Sequence, residues 1–288
     1  MFLFFALDLP TEDLHRKDVI MASVLTVFFG FCFLLFFIQV LEVVYIRTYK
    51  KPFLVFTHLV SNKLTESQQS LLEHNFSFYN RLKPKYKRYF EHRVNKFISQ
   101  YHFESRNIEL TEEMKLLIAA VYVKLTFGQR LYLSKVFTTI VIYPNAYFSD
   151  KNQQYHKGEF NPLLKQVIFS WEDFTEGIRI TNDNLNLGLH EFTHVLHIET
   201  KITNSFKSVL FKESLQSLFG ILDNQELREN LISSGFFRTY AFENQYEFVA
   251  VLLEYFFESP SEFKSQFPEI YLKVRQMINY NENHFVSS

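Results

Sequence analysis

Two histidines and a glutamate stand together in the segment Leu189-His190-Glu191-Phe192-Thr193-His194. On a helix, residues four apart lie about 40° apart around the axis, so both imidazoles face one point, where a metal ion fits. Glu191 lies beside them and can take a proton from a water on that ion without being a ligand itself. This H-E-x-x-H spacing is the pattern of zinc-dependent hydrolysis. Leu189, Phe192 and Leu196 share the opposite face, as on a helix that buries its apolar side and turns a polar stripe to a cavity. Two surface histidines on an ordinary helix, the plainer reading, would not need that face.

Zinc in a catalytic site takes three protein ligands and keeps one position open. A third histidine ten residues after His190 is excluded, because Thr200 stands there. His197 faces the same stripe but lies about 10 Å along the helix from His190, too far for the same ion. It is expected to pack or to support. A carboxylate from a later helix is the better source. The segment Phe248–Glu258 has helical periodicity and ends before Pro260, with Glu247, Ala250, Glu254 and Glu258 on one stripe. A solvated acidic face would give the same stripe, and Glu247 also fits the N3 position of a capping box with Asn244. Spacing alone leaves Glu247 and Glu254 both open.

These residues need a scaffold. Leu110–Met114 reads as a helix start capped by Thr111, followed by an apolar helix to Leu125. Val136–Tyr143 is β-branched and aromatic and stops at Pro144, which predicts a strand; Val167–Trp171 predicts a second, whose edge could take an extended peptide. Residues 149–162, with Gly158 and Pro162, read as a loop. Asn184 to Tyr280 reads as mostly helical. Residues 81–97 are basic, with a helix expected from about 85 to 100. A solvated face is the commoner explanation, and contact with anionic lipid is the functional one.

The N-terminal region is a different kind of sequence. Val19–Leu41 holds no charged residue and one Gln. At about 1.5 Å per residue, its 23 positions cross a hydrocarbon core of about 30 Å. A cleaved signal peptide has a shorter apolar run and a small-residue cleavage site. Residues 19–45 therefore read as an uncleaved single-pass membrane anchor in contact with the lipid bilayer. Arg16 and Lys17 precede the span, whereas Arg47, Lys50 and Lys51 follow it, which favours a cytoplasmic C-terminal domain. The formal net charge of −1 supplies no global field for nucleic acid, and none is expected as a partner. The lone Cys32 excludes an intramolecular disulfide.

Several segments resemble one family, the Mlc titration factor A-like zinc peptidases: LTEEMKLLIAA (110–120), IVIYPNAYF (140–148), VIFSWEDF (167–174), NLGLHEFTHVLH (186–197) and YAFENQYEFVAVLLEYFFESP (240–260). The resemblance covers roughly residues 85–280, in matching order and spacing. It implies a gluzincin-like site with His190, His194 and Glu247 as the ligands of one Zn2+, Glu247 standing where the family has Asn-Pro-Ala-Glu-Phe-Phe. It also implies peptidase activity, notably aminopeptidase-like. Tyr240, in a matching segment, is the candidate donor to a tetrahedral oxyanion, with simple packing of equal weight. Arg238 offers a cation for a substrate carboxylate. The family is also associated with a sugar-responsive repressor, for which this chain carries no recognisable feature. Two departures stand out: His197 replaces the family's usual Asp, and its soluble members lack the Val19–Leu41 span.

The resulting expectation is an α+β chain: a predominantly helical, zincin-like domain with a small β-sheet, preceded by one transmembrane helix. Its parts are a tail (1–18), the anchor (19–45), a helical connector (46–84), the peptidase-like domain (85–280) and a C-terminal tail (281–288). The expected function is zinc-dependent hydrolysis of a peptide or protein substrate with Glu191 as general base. The alternative is a zinc-stabilised module that binds a regulatory protein partner without cleaving it.

Overall fold

The computed structural model describes residues 11–52, 55–56, 62–149, 153–202 and 209–286. A long helix, α1 (Thr11–Tyr49), opens the chain. Helices α2 (Glu66–Asn75), α3 (Ser77–Arg81) and α4 (Pro84–Gln100) follow. Proline at the first position of α4 supplies a pre-set φ and removes an N–H that would lack a helical partner. Strand β1 (His102–Ser105) then leads into α5 (Glu112–Thr126), where Thr111 Oγ1 accepts the Met114 N–H, as its capping role predicts. Residues 64–82, expected as part of a connector, bury Leu64, Leu72, Phe76, Phe78, Tyr79 and Leu82 in the same core as the rest.

The sheet strands are β2 (Thr139–Tyr143), β5 (Gly158–Asn161) and β6 (Gln166–Ser170), beside β1; β3 (Tyr147–Ser149) and β4 (Gln154–His156) form a separate hairpin. Sheet order is β1-β2-β6-β5, parallel from β1 to β6 and antiparallel at β5. Two expectations need correction. The polar stretch 149–162 is not simply a loop, because it supplies β4 and β5. The strand near Val167–Trp171 offers no edge, because β6 is paired on both sides; β5 ends the sheet, and Trp171 already begins α6 (Trp171–Arg179).

Helices make up the remainder: α7 (Leu187–Ile202), α8 (Val209–Asp223), α9 (Gln225–Ser233), α10 (Gln245–Glu258), α11 (Pro260–Gln266) and α12 (Pro268–Met277), with a 3-10 turn at Thr239–Phe242. Helix α7 packs against α5, α10, β5 and β6. Phe192 anchors it from the side away from the histidines: its ring lies 4.9 Å from Tyr122, 5.4 Å from Phe169 and 6.1 Å from Phe97. Removing such a buried ring costs about 3–5 kcal/mol.

The basic segment 81–97 is not uniformly solvated. Arg93 is fully buried and donates to the carbonyls of Thr126, Phe127 and Val55. The first two end α5, so the guanidinium caps that helix where the dipole favours a cation. Burial lowers its pKa to about 10, which leaves it charged.

Candidate metal centre and active site

The site lies between α7 and α10. Asn186 starts α7: its side-chain oxygen accepts the Leu189 N–H and its carbonyl accepts the His190 N–H. Gly188 lets this first turn close on its neighbours, since a Cβ there would stand 2.6 Å from the Phe174 ring and 2.9 Å from Val121. On α10, Asn244 Oδ1 accepts the N–H groups of Tyr246 and Glu247. That is half of the expected capping box. The Glu247 side chain turns to the histidines instead of back to the Asn244 backbone.

Glu247 Oε2 lies 2.9 Å from His190 Nε2, and Glu247 Oε1 lies 3.6 Å from His194 Nε2. One donor atom from each of the three residues lies within 4.8 Å of the others. The 2.9 Å approach is not aligned as a hydrogen bond, so Oε2 is a buried oxygen without a hydrogen-bond partner. Such an oxygen costs about 1–3 kcal/mol when nothing compensates it. Two imidazoles and a carboxylate converging on one point, with an acceptor left over, fit a zinc-type ion in chemistry and number.

The electrostatics agree with that fit. Burial, then the charge on His190, lowers His194 to a pKa of about 4, so its ring keeps a free lone pair. Burial opposes charge on His190 as well, but the carboxylates of Glu247 and Glu254 beside its two nitrogens raise it to about 10. The cluster thus attracts one positive charge. For Glu247, burial raises the pKa, but His190 and His194 outweigh it and hold the group below its ordinary value.

Glu191 sits one step around α7 and is 7% exposed. Burial raises its pKa to about 7, while the His190 charge works in the opposite direction. The backbone of Phe160 on β5 hydrogen-bonds its carboxylate. Gly158, on the same strand, makes room for it: a Cβ there would stand 3.0 Å from Glu191 Cγ. Tyr240 reaches the site too. Its ring is 5.9 Å from that of His190, its hydroxyl, whose pKa burial raises, lies near enough to Glu247 for that charge to raise it further, and 40% of the residue remains exposed.

The other candidates fall elsewhere. Glu254 is 2% exposed and lies behind His190, with Oε1 3.5 Å from Nδ1. The Asn186 N–H also donates to this oxygen, and Arg238 pairs with Oε2 at 2.5 Å. Arg238 is therefore engaged inside the protein and is not a free cation for a substrate. His197 is 1% exposed, stacked 4.1 Å from Tyr246 and 5.3 Å from Phe219, and neither ring nitrogen has a hydrogen-bond partner. It packs, as its distance along the helix predicts.

Sequence reasoning missed three contributors: Glu254 as a support for His190, Asn186 as the cap joining Glu254 to α7, and Gly158. Two of these had a signal. Asn186 lies four residues before His190 in an N-cap position, and an isolated glycine among alternating residues marks a close backbone approach.

Comparisons with known proteins give the chain its family. An uncharacterized protein of the cyanobacterium Synechocystis sp. is 26% identical over 238 residues, covering 76% of this chain and 85% of the relative. The family model described as glucose-regulated metallo-peptidase M90 matches residues 57–279, which include every side chain of this site. The chain belongs to that metallopeptidase family.

Proposed function

We propose that this protein is a membrane-anchored zinc peptidase. His190, His194 and Glu247 hold the ion, Glu191 is the general base and Tyr240 assists. The observation that carries the reading is the convergence of His190, His194 and Glu247, whose donor atoms lie within 4.8 Å of one another, with Glu247 Oε2 a buried oxygen that has no aligned hydrogen bond. Bound there, zinc supplies a Lewis acid and lowers the pKa of a coordinated water to about 7.

The protein's own groups do the rest. Glu191, with its pKa near 7, accepts the proton of the attacking water and returns it to the leaving amine. The Phe160 backbone and the space left by Gly158 fix its carboxylate during that exchange. Tyr240 has its pKa raised by burial and by Glu247, so it stays protonated and can donate to an oxyanion. Strand β5 ends the sheet beside Glu191, where an extended peptide can add along its edge. A cytoplasmic catalytic domain completes the proposal.

The test is cleavage of a quenched peptide library by the purified full-length protein, with and without a chelator. Chelator-sensitive cleavage that is lost in Glu191→Gln, with the metal retained, supports the reading. Cleavage that survives Glu191→Gln would overturn it.

A further inference from the structure

The apolar helix is not loosely attached. From Val19 to Leu41, every large apolar side chain of α1 is between 42% and 73% exposed. Beyond the apolar run one side chain is buried, Ile46 at 5% exposed, between the partly covered Tyr45 and the exposed Arg47, and this end of α1 meets α8. Two sets of ion pairs flank the contact. Arg130 Nη1 is 2.7 Å from both Glu42 oxygens. Glu213 on α8 takes Lys50 at 3.0 Å and Arg47 at 3.6 Å on its two oxygens. Glu42 is the first charged residue after the apolar run, so the body is held at the point where the hydrocarbon would end. A helix destined for cleavage would have no reason to pin its far end to the body through Ile46 and paired charges.

The same contact leads to the site. Along α8, Phe219 is six residues beyond Glu213, about 9 Å. Its ring lies 5.3 Å from His197, which is one turn, about 4.5 Å, from His194. The route from the clamp to the donor cluster is therefore about 20 Å and runs entirely through packed elements. An extended chain covers that distance in roughly six residues.

We propose that α1 is a rigid strut which fixes the catalytic body at one height on a lipid bilayer, so that its substrates are polypeptides attached to the same membrane and cut roughly six to ten residues from its surface. This rests on the peptidase reading above and names the substrate class for that site. A flexible anchor predicts something else: tethering alone raises effective concentration across a wide range of spacer lengths. A strut predicts a narrow optimum.

The experiment uses the full-length protein in liposomes. One quenched peptide library is supplied free in solution, and the same library is linked to lipid through spacers of about 3, 8 and 30 residues. The expected result is fastest cleavage at the middle spacer. Arg130→Glu with Glu213→Lys should flatten that profile while free-peptide turnover is unchanged. Glu42→Lys, added to Arg130→Glu alone, should restore the optimum by exchanging the charges. A second readout does not need activity. Trp171 is the sole tryptophan, and its energy transfer to acceptor-labelled headgroups reports the height of the body. Transfer should fall in the charge-reversed variant and recover in the exchange. A flat profile in the parent, or a profile and transfer indifferent to the charge reversals, would overturn the strut. If no library is cut, the peptidase reading fails, and the energy transfer alone decides whether the strut stands.

Discussion

Helix α10 presents two glutamates to α7, two turns apart, and their surroundings are opposite. Around Glu254 every hydrogen-bonding need is met: the Asn186 N–H and Arg238 hold its oxygens, and His190 Nδ1 lies alongside. Around Glu247 the need is open, with a buried oxygen lacking a partner and two imidazole nitrogens aimed the same way. Folded proteins satisfy most buried polar groups, and this unsatisfied oxygen differs from the others in having two imidazole nitrogens converge on its carboxylate, a grouping that could hold a metal ion. The satisfied end gives rigidity to the unsatisfied one. Glu254 faces Nδ1 of His190, the nitrogen turned away from Glu247, and so holds the ring with Nε2 toward Glu247.

Substitutions should separate the two ends. The largest effect belongs to the open end: His194→Ala should abolish stoichiometric metal binding, as read by elemental analysis. Retained metal would move the site elsewhere. Next, Glu191→Gln should lower turnover by about 10²- to 10⁴-fold with metal content unchanged. Gly158→Ala tests the floor under that base. Its new methyl group would stand 2.7 Å from Leu187 and 3.0 Å from Glu191, and where Glu191 gives way a shift of about 1 Å can cost about 100-fold in turnover, again with metal retained. At the satisfied end, Glu254→Gln should weaken metal affinity by about 10- to 100-fold without removing the site. The smallest effect is expected for His197→Phe. That ring is stacked and buried with no hydrogen bonds to lose, so metal content should not change, and thermal stability should hold or rise.

Much of this was legible in the sequence, for identifiable reasons. The helical period places His190 and His194 on one face and Phe192 on the other, so the central helix and its orientation follow from spacing alone. Thr111, Pro84 and Asn244 mark helix starts through local chemistry, and the structure uses each of them. The choice between Glu247 and Glu254 was not legible from spacing. Both lie on the same stripe of α10, and what distinguishes them is Arg238 and Asn186, which are distant in sequence. The strands β4 and β5 were missed because their residues are polar: an edge beside a cleft does not need alternating apolar side chains. Arg93 was hidden in a basic run, since nothing local distinguishes a buried guanidinium from its solvated neighbours.

The most direct test is to titrate zinc into metal-free parent, Glu247→Gln and Glu254→Gln proteins side by side. One ion is expected in the parent, none in Glu247→Gln, and one, held more weakly, in Glu254→Gln. No binding by the parent, or equal losses in both variants, would contradict the distinction between the open and the satisfied glutamate, and with it the metal centre.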